Sequence, residues 1–149
     1  MGEARAFDDV VFLGTARGAR RDPYRLALFA DRLRPGERPT CVLPILGGTL
    51  VATDERLLEL RPHLEMHGAW NVREFVGYGV HREIPRASIR AVDRSIVPAA
   101  GTGSRGVEDS VTIATAASTE TFLVSRGTEA VLTEADVAAL RDALLGRTG

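Results

Sequence analysis

His63, Glu65 and His67 are the residues whose types and spacing come nearest to a reaction centre in this chain. Their order is H-x-E-x-H. In an extended strand the period of two puts all three on one face, within reach of one metal ion. A zinc-protease helix needs H-E-x-x-H instead, with its two ligands one turn apart and the glutamate as base. Pro62 and Gly68 bracket the segment and mark it as a loop, where such side chains simply face water. A metal-dependent enzyme at this cluster is therefore the least favoured of three functional readings.

The other chemical signals are weaker. Residues 101–106 spell G-x-G-x-x-G. A dinucleotide site needs that turn to open a helix, whose N-terminus meets the pyrophosphate. Val107 to Ala116 read as loop and strand, so the segment is expected to be a glycine-rich hairpin loop with no nucleotide role. Cys41 is the chain's one cysteine and lies among apolar neighbours, as a small buried hydrophobe does. No G-x-S-x-G nucleophile turn is present. Arg82, Arg86, Arg90 and Arg94 recur every four residues, which would make a basic stripe on a helix. Across a turn and a strand only Arg90 and Arg94 share a face, and Glu83 and Asp93 dilute the charge, so a solvated surface is expected. No catalytic residue, cofactor or resident metal is assigned.

Composition narrows the classes further. All 19 basic residues are arginine, they run from Arg5 to Arg147, and the formal net charge is −1 over 149 residues. A nucleic-acid protein needs a basic surplus to neutralise phosphates, so no nucleic-acid partner is expected. No apolar run approaches the roughly 20 residues that span a bilayer, so no transmembrane segment is expected. The start, MGEARAFDDV, carries acids where a secretory signal has a positive flank, and a cytoplasmic location is the default expectation. A single cysteine excludes an intrachain disulfide.

The elements that must position these residues are mostly strands. Thr40 to Leu46, Thr49 to Thr53 and Arg56 to Leu60 are apolar pieces divided by Gly47-Gly48 and Asp54-Glu55, and they read as a meander. Trp70 to Ile84 reads as a long strand bent near Gly77 and Gly79, with Trp70, Val72, Val76, Tyr78, Val80 and Ile84 on one parity. Ser88 to Val97, Ser110 to Ala116 and Glu120 to Ser125 follow as strands. Two helices flank them. Asp22 caps a helix to Leu33, with Pro23 in its first turn and Leu26, Phe29, Ala30 and Leu33 at helical spacing. Thr133 and Asp136 form a capping-box pair before Val137, Leu140 and Leu144, and Gly146 stands at the C-cap. Val10-Val11-Phe12-Leu13 is an apolar knot, either a helix start or a short extended arm.

Three segments carry a family resemblance. G-E-R-P-T-C-V-L-P at 36–44, G-T-L-V-A-T-D-E-R-L-L-E-L at 48–60 and E-I-P-R-A-S-I-R-A-V at 83–92 resemble GRAM-like and bacterial pleckstrin-homology-like (PH-like) domains. The resemblance covers roughly residues 36–146. It implies a mainly β (α+β) fold: a PH-like seven-stranded antiparallel sandwich or barrel with a C-terminal capping helix. Residues 36–149 would form that domain, and residues 1–35 an N-terminal helical extension. It also implies a non-enzymatic scaffold for lipid, peptide or protein, and some bacterial members are thought to self-associate. Lipid-binding pleckstrin domains have a basic first loop, whereas Leu46-Gly47-Gly48-Thr49 has no cation. The first reading is therefore binding of an unknown protein partner or formation of a homo-oligomer. The alternative is peripheral binding to an anionic lipid surface through Arg17, Arg20, Arg21 and Arg25. The apolar stripe of the first helix is expected to dock either on the outer face of its own sheet or on a partner subunit, with the partner favoured.

Overall fold

The computed structural model describes residues 3–67, 72–98 and 106–146, with the backbone alone at Met66, His67 and Val72. The expected meander forms as β2 (Pro39–Ile45), β3 (Gly48–Thr53) and β4 (Arg56–His67), each antiparallel to the next. Gly48 is required at the first turn. A Cβ there would stand 2.4 Å from the Leu60 carbonyl oxygen, closer than any real side chain sits. Along β4 the period of two sends Leu57 into one buried core and Leu58 and Leu60 into another, because both faces of this sheet are covered.

β4 runs on through Pro62 to His67, which corrects the expectation of a loop from Pro62 onward. Proline is tolerated there because the pairing slips between Pro62 and Leu64, at an irregular point of the ladder. β5 (Val72–Pro85) pairs with β4 along its length. The bend expected near Gly77 is present, with Gly77 at φ 119°. A second slip occurs where Leu60 opposes Val80 and Glu59 opposes Arg82, leaving His81 as the extra residue. One extra residue reverses every side chain beyond it. Tyr78 accordingly joins one core cluster and Ile84 the other, although they share parity. The expected single apolar face of this strand is therefore divided between the two faces of the sheet.

A 3-10 turn at Arg86–Ser88 leads into a second sheet of β6 (Ile89–Pro98), β7 (Val107–Thr115) and β8 (Thr119–Gly127), all antiparallel. The strands thus lie in two sheets, of five and three, rather than in one closed barrel. The sheets are tied at one corner by the Leu46 N–H, which donates to the Leu123 carbonyl at 2.9 Å. Among the described residues β5 pairs only with β4 and β6 only with β7, so each has one unpaired edge. The C-terminal helix α2 (Glu134–Leu145) closes the space between the sheets. Its Val137, Leu140 and Leu144 are buried with Leu43 and Leu57 of the first sheet and Val92, Ile113 and Phe122 of the second. The capping box of Thr133 and Asp136 forms as expected, and Gly146 ends the helix at φ 67°.

The N-terminal residues cover the other face of the first sheet. β1 (Val11–Phe12), the apolar knot in its extended form, pairs in parallel with β2 and makes the fifth strand. Helix α1 (Pro23–Ala30) starts where expected, with the Asp22 carboxylate accepting from the Tyr24 and Arg25 N–H groups, and it ends three residues before Leu33. Phe7, Val10, Leu26 and Phe29 are buried against Val42, Val51, Leu58 and Leu60. The stripe docks in cis, contrary to the expectation of a partner subunit. The sheet supplies the reason, since its second face presents four large aliphatic side chains that need a cover.

Candidate functional site

Most of the chain's buried charge is consumed in holding the fold. Glu37, Glu59, Asp109 and Asp136 are the buried carboxylates among the described residues, and each meets arginine. Arg56 donates to Glu37 from Nε and Nη2, and Thr53 Oγ1 donates to the same carboxylate at 2.6 Å. Thr53 Oγ1 in turn accepts from the Glu55 and Arg56 N–H groups, which shapes the turn between β3 and β4. The Asp54 carboxylate accepts from the Arg38 N–H. The G-E and T-D-x-R segments therefore answer one another across the sheet. Burial pushes the Glu37 carboxyl up, but the hydrogen bonds from Arg56, Thr53 and the Arg34 N–H outweigh it and hold the group down to about 2.

Glu59 faces the second sheet. Burial opposes its charge, yet donors on Arg82 and Arg61 keep its pKa below the usual glutamate range. Arg82 continues across the gap to Glu120 on β8 and lies 4.4 Å from the Phe122 ring centroid. Arg94 makes a two-pronged bond to Asp109, whose Oδ2 also accepts from the Val131 and Leu132 N–H groups just before α2. The Asp136 carboxylate accepts from Arg17 and from the Gly14 N–H, tying α2 to the N-terminal segment. A carboxylate saturated by guanidinium and backbone donors has no lone pair to spare for taking a substrate proton.

The solvated surface expected of Arg82, Arg86, Arg90 and Arg94 is corrected by these pairs, because two of the four turn inward. Arg82 and Arg94 serve buried acids, Arg86 donates to the Ala143 carbonyl at the end of α2, and Arg90 bonds the Ala87 carbonyl. Sequence reasoning did not find the buried Glu59, Asp109 and Asp136 pairs. Their only signal is an acid placed at a core position of a strand or cap.

His63 and Glu65 sit on the strand β4 with Nε2 and Oε1 3.9 Å apart, both largely exposed. The His67 side chain lies outside the described residues. Among those described, no three His, Cys, Asp or Glu side chains are close enough to hold a metal. Cys41 is buried, and burial pushes its thiol up to about 12, which removes the thiolate needed for nucleophilic work. Residues 101–105 lie outside the described residues. Val107 opens a strand opposite Pro98, so the helix that a dinucleotide fingerprint requires is replaced by β7. Among the described residues, no helix is long and apolar enough to cross a membrane.

Two features remain unspent. The first is the free edge of β5, where Phe75, Val76 and Val80 stand exposed. The second is a cleft of about 330 Å³ between the N-terminal segment, α1 and the first sheet. Phe12, Leu26, Phe29, Val42 and Tyr78 give it apolar walls, and Arg20, Arg21 and Arg25 are among its lining residues. Of the arginines expected to meet an anion, Arg17 is spent on Asp136, whereas the other three gather here. Comparison of the chain with protein-family models, with curated proteins and with solved structures finds no match.

Proposed function

We propose that this chain is a non-enzymatic PH-like binding module that associates with a second copy of itself through the free edge of β5. The order of four meandering strands, three further strands and a closing helix supports the PH-like reading. The saturation of the buried carboxylates by arginine supports a binding rather than a catalytic role. The observation that carries the association is the edge itself. β5 is 14 residues long, is paired on one side only among the described residues, and exposes Phe75, Val76 and Val80. A long edge with apolar side chains is a template for an added strand unless something covers it.

The sequence of β5 favours its own copy as that strand. Residues 73–83 read R-E-F-V-G-Y-G-V-H-R-E, nearly a palindrome about Tyr78. An antiparallel pairing across a two-fold axis at Tyr78 sets Val76 against Val80, Gly77 against Gly79, Glu74 against Arg82 and Arg73 against Glu83. Such an interface is isologous and self-limiting. Sedimentation velocity of the full chain from low to high micromolar concentration tests this. A concentration-dependent dimer that Val76→Arg with Val80→Arg abolishes is expected. A single 16.0 kDa species throughout would overturn the self-association.

A further inference from the structure

The cleft under the N-terminal segment has the makings of a ligand site distinct from the β5 edge. It is concave, about 330 Å³ in volume, and joins an apolar floor to a cationic rim. That volume lies at the small end of the range for small-molecule sites, which combine mostly apolar walls with a few convergent polar groups. The floor is aromatic and fixed. Phe29 and Tyr78 meet edge to face with ring centroids 4.7 Å apart, and Phe7 packs behind Phe29 at 6.2 Å. Arg21 is held in place by Phe12, its guanidinium carbon 4.5 Å from the ring centroid.

Arg20 and Arg25 have no such engagement. Among the described residues neither side chain has a hydrogen-bond or ion-pair partner, whereas Arg21 is held by Phe12 and the nearby Arg17 by Asp136. Asp22 is the one acid lining the cleft, and its Oδ1 already serves the first turn of α1. Two unengaged guanidinium forks beside an aromatic floor are complementary to a planar apolar body bearing a phosphate or carboxylate. The charge balance of the surrounding segment separates this from a bilayer surface. Residues 3–33 hold six arginines against five acids, with Asp8 and Asp9 exposed, so the positive field is confined to the rim of the cleft. Attraction to an anionic membrane needs a sustained basic patch.

We propose that this cleft binds a small soluble aromatic or similarly flat anion, its body against Tyr78, which Phe29 backs, and its phosphate or carboxylate between Arg20 and Arg25. The probe that tests it is 1-naphthyl phosphate, titrated calorimetrically into the full chain, with inorganic phosphate and 1-naphthol as half-ligands. Saturable one-to-one binding is expected, with each half-ligand weaker by roughly tenfold or more. Arg20→Gln with Arg25→Gln should weaken binding by about tenfold or more, since each lost charge-assisted bond carries that order of affinity. Both arginines are exposed and unengaged, so this variant should melt with the parent, and Arg90→Gln should bind as the parent does. Absence of saturable binding, or equal binding by the double variant, would overturn the site. So would sedimentation with phosphatidylserine vesicles in the absence of any 1-naphthyl phosphate binding, because the arginines would then serve a membrane surface.

Discussion

Arg56 and Glu37 face each other in a two-pronged bridge, Nε to Oε2 at 2.8 Å and Nη2 to Oε1 at 2.9 Å, with the carboxylate fully buried. Arg56 Nη1 reaches on to Glu83 and Nη2 to the Arg32 carbonyl, so one guanidinium joins the N-terminal segment, the β3–β4 turn and β5. The folded pKa of Glu37, about 2, lies below its ordinary value of 4.5. The bridge therefore adds stability that is complete above about pH 4.5 and is lost as pH falls toward 2. The difference in unfolding free energy between the parent and Glu37→Gln should accordingly shrink by on the order of 2–3 kcal/mol from pH 7 to pH 2. Denaturant titrations at a series of pH values measure it. A difference independent of pH would mean that the carboxylate is not held ionised by Arg56.

Asp109 accepts from Arg94 twice and from the Val131 and Leu132 N–H groups. Asp109→Asn removes the charge while leaving the shape, and Arg94 then stands largely buried without its counter-ion. A loss of roughly 3–5 kcal/mol is expected, as when one partner of a buried pair is removed. Hydrogen exchange at Val131 and Leu132 should accelerate more than exchange in β3. A variant with the parent's unfolding midpoint would remove this pair from the account of how α2 is anchored.

The cis docking of the N-terminal segment rests on Phe29, which is buried between Phe7 and Tyr78. Phe29→Ala should cost roughly 3–5 kcal/mol. Limited proteolysis should then cut within residues 14–36 while the sheets still resist. Unchanged protease resistance would show that the segment is held by other contacts.

Leu140 is buried at the centre of α2, between the sheets. Leu140→Ala should lower the unfolding free energy by roughly 2–5 kcal/mol. A midpoint equal to the parent's would mean that α2 does not seal the space between the sheets.

Much of the fold was legible because its signals are local. Asp22-Pro23 and the Thr133–Asp136 box name their own helix starts, and Gly47-Gly48 and Asp54-Glu55 name their turns. What was not legible depends on register and on distant partners. The extra residue His81 reverses the faces of β5, and no alternation pattern announces such a slip. Pro62 read as a strand end because a lone proline cannot show that it will fall on an irregular point of the ladder. The cis docking of Leu26 and Phe29 was hidden for a related reason. Val42, Val51, Leu58 and Leu60 gave no sign that their face of the sheet lacked a cover. The cleft joins residues from the N-terminal segment, α1 and four strands, so only three of its arginines were visible beforehand, as a basic run without a floor.

Hydrogen exchange along β5, compared between low and high micromolar protein, tests the proposed association most directly. Amides of Val72–Pro85 that face away from β4 should exchange quickly in dilute protein and slow markedly as concentration rises, with Val76→Arg plus Val80→Arg abolishing the change. Concentration-independent exchange throughout β5, in a chain that sediments as a monomer, would contradict an edge-paired dimer.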